Sequence, residues 1–131
     1  MENRIYHISK SELKNYLLPQ SPKNKVVCVD FKKIKNRREF AEFMEKALQS
    51  PRPIEGVYAR YMDWIRDLSW YDYDRYDIVI YHFSRFAAKN FEDAYEIYDE
   101  FKKIILPFWE YEVIHTVVEG KPKAFNVYFV E

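Results

Sequence analysis

The side chains most often used in catalysis are few in this sequence and far apart. His7, His82 and His115 could serve as general bases or metal ligands, and Cys28 could serve as a nucleophile. None of them has the spacing of a zinc site, and no glycine-rich loop could cradle a phosphate, because the chain has only 2 Gly. We therefore expect no metal, no cofactor and no enzymatic activity. A hydrolase that uses His82 or His115 is therefore the least favoured interpretation of the sequence.

Carboxylates are the next group that could do chemistry, and they are concentrated in the middle of the chain. Residues 55–100 contain eleven acidic and five basic residues, whereas residues 1–38 carry a net charge of +7. The densest basic run, Lys32–Arg38, could contact RNA, but no aromatic residue is interleaved with it for base stacking. A solvated turn is the favoured interpretation of that run, so nucleic acid is not the expected partner.

The acidic residues surround an amphipathic helix that the sequence predicts for residues 57–68. Its apolar face comprises Val57, Tyr58, Tyr61, Met62, Trp64, Ile65 and Leu68, and its polar face comprises Ala59, Arg60, Asp63, Arg66 and Asp67. After it comes the loop WYDYDR, which begins at Trp70. Aromatic residues beside acids are typical of the centres of protein interfaces, so Trp70 is a candidate contact residue.

The other elements would hold this helix in place. The patterns predict a helix at 12–18, a strand at 25–31, a helix at 37–49 capped by Asn36, a strand at 76–83 and a helix from Asn90 to about Pro107. Two further β-rich runs, 111–119 and 123–131, flank a Gly-Lys-Pro turn and read as a terminal hairpin. Strands separated by helices predict an α/β fold with a small, mostly parallel sheet, to which the hairpin adds an antiparallel edge strand.

Length and composition predict one domain over residues 1–131. The N-terminus has no apolar signal segment, no apolar run approaches the roughly 20 residues of a membrane span, and one cysteine cannot form an internal disulfide. We therefore expect a cytoplasmic protein without a membrane association.

The order of these segments resembles that of the barstar family of ribonuclease inhibitors. A strand ending in VDFKKIKNRREF leads into a helix, and a Pro-rich loop with a glycine leads into a second helix reading MDWIRDLSW. An aromatic and acidic loop then leads into the strand YDIVIYHF. The resemblance covers residues 25–118, so 1–24 would be an N-terminal extension and 119–131 an additional terminal strand.

The resemblance implies an inhibitor, such as an immunity protein or antitoxin, that occludes the active site of a ribonuclease-type toxin. Its contact surface would be the loop at Ile54, Glu55 and Gly56, the exposed face of the second helix with Asp63, and an acid on the last helix. Glu100 is the best match for that last acid, with Asp99 as the alternative.

Two positions on the second helix depart from the family pattern. Ala59 stands where the family carries another acid, and Met62 stands where it carries an aromatic residue. These departures indicate a target other than the ribonuclease for which the family is named. The second interpretation is a non-catalytic regulatory module on a barstar-like fold that binds RNA or protein.

Overall fold

The computed structural model describes residues 2–131 and contains a four-stranded sheet flanked by helices. In chain order the elements are β1 (Ile5–Ile8), α1 (Lys10–Leu13), β2 (Asn24–Asp30), a 3₁₀ turn (Phe31–Lys33), α2 (Arg37–Ala47), α3 (Tyr58–Ile65), β3 (Arg75–Tyr81), α4 (Phe83–Lys89), α5 (Phe91–Glu100), two π-helical segments (Phe101–Ile105 and Phe108–Glu112), α6 (Val113–Thr116) and β4 (Ala124–Val130). No helix within residues 2–131 is long and apolar enough to cross a membrane.

All strand pairs of the sheet are parallel, and the strand order is β1-β4-β3-β2. A single row across the sheet contains Ile5, Val127, Ile78 and Val27. The continuous apolar run in β3, from Ile78 to Ile80, is fully buried, as expected for a central strand covered on both faces. The prediction of a small parallel sheet flanked by helices is confirmed.

The two faces of the sheet are covered unequally. The larger core lies under the helices of the 37–113 region, where Phe40, Trp64 and Phe101 are buried to within 1%. On the opposite face, Leu13 of α1 packs near Tyr128, and the ring of Tyr6 stacks on that tyrosine at 5.0 Å. The smaller second core therefore depends on residues from the N-terminal 24.

One charged residue is buried on the smaller face, and it has partners. Asp77 is fully buried, but Arg75 Nε donates to its Oδ2 at 2.7 Å and Tyr128 Oη donates to its Oδ1 at 2.8 Å. A buried carboxylate is tolerated when such hydrogen bonds replace its hydration. Asp77 is therefore part of the scaffold.

Two helices start where the sequence predicts them. Asn36 Oδ1 accepts from the backbone N–H of Glu39 at 2.9 Å, and Asn90 Oδ1 accepts from that of Asp93 at 3.2 Å. These bonds satisfy donors that the first helical turn leaves free. The predicted caps of α2 and α5 are confirmed.

The predicted terminal hairpin is wrong. Residues 111–116 are helical, and β4 pairs in parallel with β1 and β3 in the interior of the sheet, so it is not an antiparallel edge strand. The β-branched composition of this run suggested a strand. Val113 of this run nevertheless continues the four-residue spacing of the buried residues Ile105 and Trp109 before it, which is a helical spacing.

The N-terminal segment was also predicted incorrectly. It forms an edge strand, β1, before a one-turn helix at Lys10–Leu13, whereas the sequence predicted only a helix at 12–18. Four residues are too few for a clear alternating pattern, and the strand is formed through its pairing with β4. The last strand of the sheet, Ala124–Val130, lies beyond residue 118, where the resemblance noted in the sequence ends.

Candidate protein-binding surface

Two hydrogen bonds to residues outside it fix the loop between α2 and α3. The backbone N–H of Ile54 donates to Glu45 Oε1 at 2.6 Å, and the indole N–H of Trp70 donates to the Leu48 carbonyl at 2.8 Å. Ile54 is 1% exposed, so its side chain anchors the loop in the core. The loop is therefore fixed at its base and free on its outer side.

The outer side of this loop is a tight turn. Glu55 and Gly56 have φ values of 47° and 79°, and the N–H of Val57 donates to the Ile54 carbonyl at 2.8 Å. Positive φ at both central positions is the pattern of a type I′ turn, which favours glycine. A Cβ at Gly56 would meet no atom within 4 Å, so lack of space is not the reason for glycine here. Glycine is favoured because it adopts a positive φ without strain.

The α3 helix presents a charged face beside this turn. Tyr61, Trp64 and Ile65 are buried, whereas Ala59, Arg60 and Asp63 are exposed. The side chain of Asp63 is 76% exposed, and its nearest cation is Arg66, at 3.9 Å. The buried residues follow the helical period, which explains why the sequence alone indicates the exposed face.

Turn and helix together line a surface pocket of about 410 Å³. Its walls are Pro51, Arg52, Pro53, Glu55, Arg60 and Asp63. Arg60 lies 3.5 Å from Glu55, and Arg52 pairs with Asp67 at the far end of the helix. The surface therefore carries charges of both signs, in exposed pairs that contribute only about 0–1 kcal/mol each.

Glu100 does not lie on this open surface. Tyr58 Oη donates to Glu100 Oε1 at 2.6 Å, and Arg37 Nη1 lies 3.6 Å from Glu100 Oε2. The Arg37 guanidinium also covers the Tyr58 ring at 4.3 Å. Only 13% of the Glu100 side chain is exposed, so it joins α5 to the start of α3 and to α2. Asp99, the alternative acid, pairs with Lys103 at 3.1 Å.

The surroundings of Glu100 and Tyr58 shift the pKa of both side chains. Burial raises the pKa of the Glu100 carboxyl, although the hydrogen bond from Tyr58 and the charge of Arg37 act in the opposite direction. Burial also raises the pKa of the Tyr58 hydroxyl. Tyr58 therefore keeps the proton that it donates in this bond.

The sequence-predicted contact residues thus fall into two groups. Glu55, Gly56, Ala59 and Asp63 are exposed on the turn and on α3. Ile54, Met62 and Trp70 lie beneath it or beside it and pack against the core, and Glu100 is held in the cluster with Tyr58. Sequence reasoning did not find Arg37 or Tyr58, because their contacts join three helices distant in the chain.

The potentially catalytic side chains remain separate. His82 Nδ1 bonds to Asp30 at 2.8 Å, and His7 bonds to Tyr98 at 3.0 Å. Cys28 lies on the outer edge strand β2 and is exposed. In the described part of the chain, no three His, Cys, Asp or Glu residues are grouped so that they could hold a metal ion.

Comparisons with known proteins give a likeness in fold. No protein-family model matches the chain, and no curated protein matches its sequence. Among solved structures, the ORC2 protein of Aeropyrum pernix, determined in ADPNP–ADP complexes, is similar with a TM-score of 0.58 and 12% sequence identity. The match covers 98% of this chain and 34% of that one, so this chain spans about a third of its length. At this identity the likeness concerns the α/β fold alone.

Proposed function

We propose that this protein is a stoichiometric inhibitor of a ribonuclease-type toxin, as the resemblance to the barstar family implies. It acts by occupying the active site of the toxin, without turnover and without a cofactor. The parallel sheet flanked by helices and the order of elements from β2 to β4 are compatible with this proposal. Neither property by itself identifies a function.

The observation that carries the proposal is the exposed pair of carboxylates on a fixed support. Asp63 stands on a helix whose other side is fully buried, and Glu55 stands on a turn anchored through Ile54. A ribonuclease active site is rich in positive charge because it holds phosphates, so rigidly placed carboxylates can take the phosphate positions. Preorganisation limits the entropy lost on binding.

The surface cations do not prevent such binding. Arg60 and Arg66 lie 3.5 and 3.9 Å from Glu55 and Asp63, and both pairs are exposed to solvent. Breaking such an exposed pair costs only about 0–1 kcal/mol, so both carboxylates can turn to cations of the partner. Ala59 beside Asp63 leaves room for a bulky side chain of the partner at this point of the helix.

The test is capture of a ribonuclease, followed by its inhibition. Tagged wild-type protein, Asp63→Arg and the control Glu92→Arg are used as bait in a lysate of the source cell, and each captured protein is assayed for RNA cleavage. Glu92 is an exposed acid at the opposite end of α5 from Glu100, and no ion pair is recorded for it among the described residues.

Wild type and Glu92→Arg are expected to capture a ribonuclease and to abolish its activity at a one-to-one ratio. Asp63→Arg should lose at least 2 kcal/mol of binding free energy, as for a central interface residue. Absence of any ribonuclease would refute the proposed function. Equal inhibition by all three proteins would retain the function and place its surface elsewhere.

A further inference from the structure

A second surface, distant from α3 in the chain, gathers positive charge from two elements. Lys32 and Lys35 lie in and just after the 3₁₀ turn that follows β2, and Arg85 and Lys89 lie on α4. Together with Phe31, Ile34 and Phe86, these residues line a pocket of about 480 Å³, which we call the basic pocket. No acidic residue lines it, although the chain as a whole has no net charge.

The four cations of the basic pocket are available to a ligand. All four residues are exposed, and no ion pair joins any of them to a carboxylate in residues 2–131. Asp30 and Glu39 are the acids adjacent to them in the chain. Asp30 Oδ1 accepts from the backbone of Lys32 at 3.0 Å and contacts His82, and Glu39 accepts from the backbone of Lys35 at 2.9 Å. Both carboxylates bond to backbone N–H groups, and neither forms an ion pair with a lysine of the pocket.

Aromatic residues at the base of the basic pocket join its two walls, which are the 3₁₀ turn with Lys32 and Lys35 and the α4 helix. The ring of Phe31 lies 4.9 Å from that of Phe86 and 5.0 Å from that of Phe83, so the 3₁₀ turn packs directly on α4. Asn90 Nδ2 also donates to the Lys35 carbonyl at 3.3 Å. The cations are thus presented from a rigid base.

The location of the basic pocket is a second argument for a ligand. The turn with Lys32 directly follows the last residue of β2, and α4 begins two residues after the end of β3. The pocket therefore lies beyond the carboxyl ends of two neighbouring parallel strands, where open α/β sheets most often bind ligands. His82, at the same edge, has a φ of 61°, a conformation found often at functional positions.

We propose that the basic pocket binds the phosphate backbone of a single-stranded RNA. Arg85 and Lys89 lie four residues apart on α4 and are therefore neighbours on the helix surface, about 5–6 Å apart. With Lys32 and Lys35 on the other wall, the pocket can neutralise more than one phosphate. The sequence alone disfavoured nucleic acid because no aromatic residue is interleaved with Lys32–Arg38 for base stacking. The fold adds Arg85 and Lys89 of α4 to these lysines, so the proposed contact is with the phosphate backbone and not with the bases. This inference goes beyond the inhibitor function and does not depend on it.

The test measures binding of a fluorescein-labelled twelve-nucleotide oligouridine by fluorescence anisotropy. With three to four phosphate contacts, affinity should fall roughly 20- to 50-fold between 50 and 200 mM salt. The double variant Arg85→Gln/Lys89→Gln should bind at least tenfold more weakly, with a shallower salt dependence. The control Lys102→Gln/Lys121→Gln removes the same charge from two exposed lysines outside the pocket and should bind like wild type.

The variant Lys32→Gln/Lys35→Gln repeats the test from the other wall, and circular dichroism verifies that each variant is folded. Three results would overturn the proposal: no binding by wild type at 50 mM salt, equal losses in the pocket and control variants, or binding of inorganic phosphate without binding of the oligonucleotide. The last result would assign the pocket to a small phosphate ligand.

Discussion

At the scale of single residues, Glu100 is the clearest case of an acid whose surroundings decide its role. Its carboxylate bonds to Tyr58 and pairs with Arg37, and its side chain is mostly buried. Removing it would leave a buried hydroxyl without its acceptor, at a cost of about 1–3 kcal/mol. A loss of partner binding in a Glu100 variant could therefore reflect a displaced α3, which is why Asp63 is the better probe of the surface.

The ionisation of Glu100 gives a prediction about pH. Because burial raises its pKa above the ordinary value of 4.5, the folded protein binds this proton more tightly than the unfolded chain does. The contribution of Glu100 to the free energy of unfolding therefore falls as pH rises from the unfolded pKa through the folded one. The free energy of unfolding of wild type minus that of Glu100→Gln should accordingly be smaller at pH about 7 than at pH about 4.

Urea unfolding at a series of pH values measures this difference. Tyr58→Phe is the companion variant, because it keeps the acid and removes a hydrogen bond that lowers the pKa of Glu100. In that variant the fall in stability should extend to higher pH. If the free energy of unfolding of wild type and of Glu100→Gln changed with pH in the same way, burial would not raise the pKa of Glu100.

At the scale of elements, the two glycines have different structural roles, so replacing each of them should lower the free energy of unfolding by a different amount. Gly56 needs its positive φ, and a Cβ there has open space around it. Gly120 packs so closely on the Val113 carbonyl of α6 that an added Cβ would overlap the backbone. Gly56→Ala should therefore lower the free energy of unfolding by about 1–2 kcal/mol, the cost of a left-handed residue with a side chain.

Gly120→Ala should be more destabilising, because the end of α6 and the chain leading to β4 must both move. Urea denaturation of the two variants against wild type measures the order. If Gly56→Ala lost more stability than Gly120→Ala, it would contradict this explanation, in which Gly56 is needed for its backbone conformation and Gly120 for close packing. Partner binding should respond in the opposite order, since Gly56 shapes the contact surface and Gly120 does not.

The elements also show how far the sequence determines the fold. Strong local signals predicted α2, α3, α5, β2 and β3, because cap residues and apolar periods act within a few residues of each other. The helical run through Trp109 was missed because its β-branched composition resembles a strand, and its helical conformation is stabilised by distant contacts. Trp109 Nε1, for example, donates to the Ile65 carbonyl at 2.9 Å.

The same limit applies to the candidate surface. The exposed face of α3 follows from its period, so Ala59 and Asp63 could be placed from the sequence. The burial of Glu100 could not, because it depends on the approach of α2 and α3 to α5. The second wall of the basic pocket was missed for the same reason: 50 residues or more separate Arg85 and Lys89 from Lys35 and Lys32.

At the scale of the whole molecule, the fold redistributes the charge seen along the sequence, because the basic pocket takes Arg85 and Lys89 from the acid-rich residues 55–100. The basic pocket is formed from the 3₁₀ turn and α4, and the exposed carboxylates belong to α3 and the turn before it. A chain with no net charge can therefore offer one surface to an anion and another to a cationic partner. The two proposals can accordingly be tested with variants that do not overlap.

The N-terminal residues give the prediction that belongs to this scale. If they were a dispensable extension, deleting residues 2–8 would have little effect. In the structure, however, β1 pairs with β4 over four register positions, from Ile5 with Val127 to Ile8 with Val130. The Asn3 side chain adds three bonds: Nδ2 donates to Leu106 O at 3.2 Å and to Lys123 O at 3.1 Å, and Oδ1 accepts from Phe125 N at 3.0 Å. The deletion should therefore lower the free energy of unfolding by several kcal/mol, since single buried hydrogen bonds contribute about 1 kcal/mol each.

The deletion would also expose the edge of β4, an apolar strand with unpaired backbone groups, so the truncated protein should self-associate. Urea unfolding and sedimentation velocity measure the two effects. The matched control is full-length Glu2→Gln/Arg4→Gln, which removes only an exposed ion pair and should change stability by about 0.5 kcal/mol or less. A truncated protein that stays monomeric and keeps its urea midpoint would mean that β3 and β4 suffice without β1. The smaller core around Tyr128 would then have no role in holding the sheet beneath α3.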